Sequence, residues 1–195
     1  MTINKLGVFL CVICFASSAH AAFLADRPLS TDDSSTPALG TYQLCGGIDW
    51  FFNSDNSKNL NQPFVLAYGL HENLDLEIAL PYVIGDSASW IGDISLGTQY
   101  RFIEQNIHPS LAVALSTKLP TGNWSQGLGT GHQSYALEII TAKNWEITSF
   151  SGNLSYINNP DMSANNSFSS GLSLSRTMDE KFTLMGELTC AIAPE

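Results

Sequence analysis

The sequence predicts an all-β fold, an antiparallel transmembrane β-barrel with about nine strands present, an incomplete barrel without any helical domain apart from a leader peptide. Three observations carry this expectation: segments that alternate large apolar with small or polar residues, connections that alternate long and short, and aromatics gathered at strand ends. Side chains on a strand point to opposite faces with period two, so each such segment separates an oily medium from a wet one. In Asp93–Phe102, Ile94, Leu96, Tyr100 and Phe102 fall on one face and Asp93, Ser95, Gln99 and Arg101 on the other. A soluble sheet hides the oily face in a core, whereas an outer-membrane barrel presents it to lipid.

The first residues set the compartment. Lys5 is the one charge before an apolar run from Leu6 to Ala16, and Ala19-His20-Ala21 offers small residues where a signal peptidase reads. Residues 1–21 therefore form a secretory leader, too short to span a membrane. No later stretch approaches the roughly 18 uninterrupted apolar residues of a membrane helix, so a membrane form of the mature chain must be a barrel. Cys11 and Cys14 leave with the leader. Strand parity puts Cys45 with Gln43, Gly47 and Asp49 but Cys190 with Leu184, Leu188 and Ile192, so no disulfide framework is expected despite an oxidising compartment. Loss of Lys5 lowers the formal charge of −10 by one, which argues against a nucleic-acid partner. The charged fraction of 13 % lies below the roughly 25 % of ordinary soluble domains, as a wall facing lipid requires.

Residues 22–40, rich in Pro, Ser, Thr and Asp, read as an extended periplasmic lead-in, and 41–195 as the wall. The first strand, Tyr42 to Phe52, places Tyr42, Leu44, Ile48, Trp50 and Phe52 together, and a polar loop with Asp55 and Asn59 follows. The second sets Phe64, Leu66, Tyr68 and Leu70 against Val65, Ala67 and Gly69. His71-Glu72-Asn73 turns into the third, where Leu74, Leu76, Ile78, Leu80 and Tyr82 alternate with Asp75, Glu77 and Ala79. A connection through Gly85 to Ser87 leads to the fourth, Ile91 to Phe102, and a tight turn at Gln105-Asn106 leads to the fifth, with Leu111, Val113, Leu115 and Leu119 outward. The Gly-rich stretch Pro120 to His132 is expected as a flexible outer loop. Tyr135, Leu137 and Ile139 mark the sixth strand, Lys143-Asn144 the next turn, and Trp145 to Tyr156 the seventh, whose phase slips near Ser149-Phe150 as at a bulge. After a loop from Asn158 to Asn166 come Phe168 to Arg176, the turn Met178-Asp179-Glu180, and a ninth strand with Phe182, Leu184, Leu188 and Ile192 outward.

Short turns at one end and long polar loops at the other are the asymmetry of bacterial barrels, with the short turns in the periplasm. Threading the chain this way gathers Trp50, Phe52, Phe64, Tyr82, Trp90, Tyr135, Tyr156 and Phe168 at the outer level, and Tyr42, Tyr68, Tyr100, Phe102, Trp145 and Phe182 at the inner. Two aromatic girdles at the lipid headgroups have this form.

The chain also resembles a known family, the outer-membrane barrels grouped as transporters or as proteins of the MetA pathway of phenol degradation. The resemblance lies in Arg27 to Asp33, Tyr68-Gly69-Leu70, Asn73 to Leu76, Leu80-Pro81-Tyr82, Gly92 to Gly97, Tyr100-Arg101-Phe102, Lys118 to Gly122, Gly127 to Gly131 and Gly186-Glu187-Leu188. It implies a closed barrel in the outer membrane of a Gram-negative cell that passes small, aromatic or hydrophobic molecules. The family continues with further strands and ends on an aromatic residue, so Ala193-Pro194-Glu195 after an odd ninth strand is expected to be a truncated end. Outer-membrane lipid, the barrel-assembly machinery and a small-molecule solute are the expected partners.

Enzyme chemistry finds no support. His71, His108 and His132 are scattered, no Ser sits in a Gly-x-Ser-x-Gly elbow, and Gly127 to Gly131 lacks the Lys and helix of a phosphate loop. No catalytic, metal or cofactor site is expected. The candidate functional residues are those of the polar face, Asp75, Glu77, Asp93, Arg101, Lys118, Glu138 and Glu187, which either tune passage through a lumen or brace the wall by ion pairs. A two-residue turn at Gln105-Asn106 would set Asp93 directly across from Lys118. A surface-displaying barrel without transport, and a secreted soluble β-sandwich that binds a ligand, are the alternatives.

Overall fold

The computed structural model describes residues 31–52, 58–84, 88–159, 166–179 and 182–192. The leader, the start of the lead-in, parts of three long loops, the Glu180 turn and the last three residues lie outside the described residues, as do the side chains of the girdle positions Trp50 and Phe52.

Eleven strands form one antiparallel sheet: β1 Tyr42–Gly46, β2 Asp49–Phe52, β3 Lys58–His71, β4 Leu74–Ile84, β5 Ser89–Ile91, β6 Ser95–Ile103, β7 Ser110–Lys118, β8 Ser134–Asn144, β9 Thr148–Asn158, β10 Ser167–Thr177 and β11 Thr183–Ile192. Its path runs β1-β3-β4-β6-β7-β8-β9-β10-β11, with β2 also on β3 and β5 also on β4; the path is open, β1 and β11 standing at its two ends. The nine expected strands are all present among the described residues, two of them split. Proline is the cause of both splits, because it has no N–H to give a ladder. Gly47 donates to the Pro63 carbonyl at 3.1 Å and receives nothing back, which separates β1 from β2 without changing register. Gly92 likewise donates to the Pro81 carbonyl at 2.8 Å. There the register slips as well: Ile91 pairs with Tyr82 but Leu96 with Ile78, one extra residue on the β5–β6 side.

Two local expectations are corrected. The bulge placed near Ser149-Phe150 is absent, since β9 pairs in unbroken register with β8 and β10. Trp145 to Ile147 belong to the turn, closed by Trp145 N–H to the Thr148 carbonyl at 2.7 Å, so the phase changes before the strand begins. The β6–β7 turn is six residues, Glu104 to Pro109, not two. A bulge between Arg101 and Ile103 lengthens it, and the Lys143 amine holds it by donating to the Asn106 and Ile107 carbonyls. Lys118 consequently pairs with Ser95 and not with Asp93.

The burial pattern is the reverse of a soluble core. Leu96, Leu115, Leu137, Leu154, Leu172 and Leu188, one from each of β6 to β11, are 43–73 % exposed. On the opposite face Asp75, Gln99, Ser110, Ser134, Ser151, Asn153, Ser173 and Ser175 are buried, with Ala67, Ala112, Ile140 and Ala142 among them. Charged and polar residues are ordinarily the exposed class. A β-sandwich needs a second layer over the apolar face, and the described strands make a single sheet. Aromatic rings meet in pairs at strand ends on that outward face: Tyr42 with Tyr68 and Tyr100 with Phe102 at the short-turn end, Tyr156 with Phe168 at the long-loop end.

Candidate functional site

The polar face is built around a strap. Residues 31–40, the described part of the expected lead-in, run extended across this face from β11 to β3, for a plain chemical reason. Their Ser, Thr and Asp groups offer no apolar surface, but they match a wall of hydroxyls and amides. Thr31 N–H donates to Glu187 Oε1 at 2.6 Å, the Ser34 and Ser110 hydroxyls bond each other, and Gln99 Nε2 donates to the Asp33 and Ser35 carbonyls at 3.4 and 3.0 Å. Thr36 Oγ1 donates to the Glu72 carbonyl, and Leu39 forms a parallel bridge to Gly69. Two glycines admit the strap. A Cβ on Gly69 would overlap the Pro37 and Ala38 carbonyls, and one on Gly171 would strike the Thr31 methyl at 2.6 Å.

These anchors tie distant strands together. Thr31 is bonded to β11 and Ser34 to β7, four strands away along the sheet. Four spacings of ~4.8 Å cover about 19 Å on a flat sheet, whereas three residues of chain reach about 11 Å at most. The Glu187, Ser34 and Ser110 side chains, with the coiling natural to a sheet, span the rest.

Six of the seven candidate residues lie on strands, and Asp93 lies between β5 and β6. Asp75, 1 % exposed, accepts the Gln99 N–H at 2.8 Å and so fixes the strand whose side chain grips the strap. Glu77, half-buried two residues along, stands opposite Gly97, and Lys118 stands between Ser95 and Ser134 toward the long-loop end. Arg101 lies at the short-turn end, where its guanidinium donates to Asn73 Oδ1 and the Glu72 carbonyl and lies 3.9 Å from Glu104. Glu138 accepts from Asn153 Nδ2 at 2.6 Å, and Glu187 holds Thr31. Sequence reasoning missed the strap residues Thr31 and Ser34 and the wall residues Gln99 and Asn153. The buried parity of Gln99 and Asn153 was a usable signal for the last two.

Asp93 does something else. Its carboxylate accepts from Gly122 N–H at 3.0 Å and from Thr130 N–H and Oγ1 at 2.7 and 2.8 Å, pinning both ends of the Gly122–Gly131 loop. Within the loop a 3-10 turn at Trp124–Gln126 ends on Gly127 in the left-handed region, and Leu128 is buried. The loop expected to be flexible is thus clasped. Loss of the carboxylate strands three donors, each costing about 1–3 kcal/mol when buried. Asp93→Ala is therefore expected to raise chymotrypsin cleavage after Trp124 or Leu128 by about tenfold or more with an unchanged far-UV spectrum; an unchanged cleavage rate would contradict the clasp.

Among the described residues no group of His, Cys, Asp and Glu is arranged to hold a metal ion. Cys45 is buried and Cys190 exposed, and neither is joined in a disulfide. No family model matches the chain. No curated protein matches it. In fold it is similar to an outer membrane channel from Pseudomonas putida F1, with a TM-score of 0.60 at 18 % identity over 85 % of this chain and 77 % of that one.

Proposed function

We propose that this chain is an outer-membrane β-barrel channel of a Gram-negative cell, non-enzymatic, that passes small molecules along its polar face once the leader is removed. The observation that carries the reading is the inverted burial: large apolar side chains exposed on one side of a single sheet, polar ones buried on the other. Exposing that stripe to water would forgo about 1.5–3 kcal/mol per large side chain, a loss that acyl chains remove. The likeness in fold to an outer membrane channel supports it, and the family resemblance points to aromatic or hydrophobic solutes. The partners of this reading are outer-membrane lipid, the barrel-assembly machinery and the solute.

The inner face carries Asp75, Glu77, Asp93, Glu138 and Glu187 against Arg101 and Lys118, so the passage is weakly acidic and favours cations. Glu77→Lys with Glu187→Lys is expected to reverse cation preference in planar-bilayer reversal potentials; an unchanged preference would remove these residues from the ion path. One observation favours a second reading, a barrel that displays loops without conducting: the strap occupies the polar face. Liposome swelling separates the two, because a filled barrel admits no sugars or phenols.

A further inference from the structure

A cavity of about 160 Å³ lies where the strap meets β8 to β11, lined by Thr31, Glu138, Asn153, Ser155, Ser169 and Thr189 among others. Two of its walls carry unsatisfied polar atoms. Thr31 is 2 % exposed and Asn153 7 % exposed, yet Thr31 Oγ1 and Asn153 Oδ1 have no hydrogen-bond partner. Buried polar atoms are nearly always paired, so a pair of orphans on one cavity calls for an occupant.

The chemistry of the lining selects it. Asn153 commits its Nδ2 donor to Glu138 Oε1 at 2.6 Å, which leaves Oδ1 as an acceptor. Thr31 Oγ1 and the Ser155 and Ser169 hydroxyls add lone pairs, and the lining includes no Lys or Arg. Negative charge comes from Glu138, from Asp32 next in sequence to Thr31, and from Glu187 bonded to the Thr31 N–H. One water needs about 10–15 Å³ of such space, so the cavity has room for several waters and admits a ligand of at least four or five heavy atoms.

We infer that this cavity is a binding site for a small organic ammonium, whose three N–H donors meet Glu138, Asn153 Oδ1 and Thr31 Oγ1. The inference goes beyond solute passage and does not require the barrel to conduct. It also couples the ligand to the strap, because Thr31 completes the cavity only while it is seated against Gly171. A ligand that binds only the seated form stabilises it by mass action.

The test is calorimetric titration of the full mature chain in detergent micelles with ethanolammonium chloride, beside ethylene glycol and potassium chloride. Saturable binding of ethanolammonium is expected, weakened about tenfold or more by Glu138→Gln and several-fold by Thr31→Val, with glycol and potassium failing to compete. Thr31→Val changes the strap and not the wall, so it reads out the site even where a wall variant folds poorly. Absent saturation in the wild-type chain, equal competition by potassium or glycol, or unaltered affinity in Glu138→Gln each overturns the site. Failure to conduct with binding retained would sink the channel reading alone; conduction without binding would sink this one alone.

Discussion

Arginine at Leu137, an outward residue in the first half of β8, is expected to destabilise the inserted protein by about 2 kcal/mol or more, the depth-dependent cost of a cation on a lipid-facing barrel position. The same substitution at Ala136, one residue earlier and on the opposite face, meets the hydroxyl of Ser116 across the ladder and an acidic interior, and should cost less than about 1 kcal/mol beyond local crowding. Reversible folding into thin liposomes across a urea series measures both. The logic is parity alone: Leu137 is 43 % exposed and Ala136 is not. If the two substitutions cost the same, or if Ala136→Arg costs more, the apolar face is not the lipid face.

The second large effect concerns the strap. Deletion of residues 31–38 removes the bonds to Glu187, Ser110 and Gln99 and takes this stretch of chain off the polar face. Single-channel conductance should rise several-fold, because the cross-section taken by one extended chain, about 5 Å by 10 Å with its side chains, becomes free for ions. Gly171→Leu gives an independent route to the same state, since its side chain occupies the space of the Thr31 methyl. It should raise conductance in part while leaving every wall strand paired. A deletion that folds, inserts and conducts no better than the full chain would show that the strap lies outside the solute path, and the display reading would then stand.

Much of the wall was legible because period-two alternation is a local property. Leu172 and Ser173 declare opposite faces whatever surrounds them, and the exposed Leu96, Leu115, Leu137, Leu184 and Leu188 were placed on the oily face on that basis. The expected aromatic levels came from the same rule, and the ring pairs Tyr42–Tyr68 and Tyr156–Phe168 lie directly across the ladder from one another. Register was less legible because it depends on backbone donors. Pro63 and Pro81 delete N–H groups opposite Gly47 and Gly92, and the split strands and the slip at Gly92 follow from that, although an alternation pattern runs straight through both points.

The site was the hardest part to read. A polar segment has no periodicity to say where it lands, so residues 31–40 could be recognised as extended but not as a strap. Its landing place is set by partners far away in sequence, 156 residues between Thr31 and Glu187 and 76 between Ser34 and Ser110. Asp93 was given the wrong partner, because its position opposite Lys118 assumed a two-residue turn, whereas the turn that follows the Arg101 bulge is six residues long. Its real partners are two backbone N–H groups and the Thr130 hydroxyl of a loop that comes together only when Gly122 and Gly129 let the chain close upon the carboxylate.

Spin labels along β10 test the central claim most directly. With the native cysteines replaced, single cysteines at positions 168 to 175 of the reconstituted protein can be labelled and their collisions with oxygen and with an aqueous nickel complex measured. Labels at Phe168, Ser170, Leu172 and Leu174 are expected to favour oxygen, and those at Ser169, Gly171, Ser173 and Ser175 to lose that preference, alternating with period two. Low collision rates with both reagents at Leu172 and Leu174 would mean that protein covers the apolar stripe, and the membrane account would be wrong.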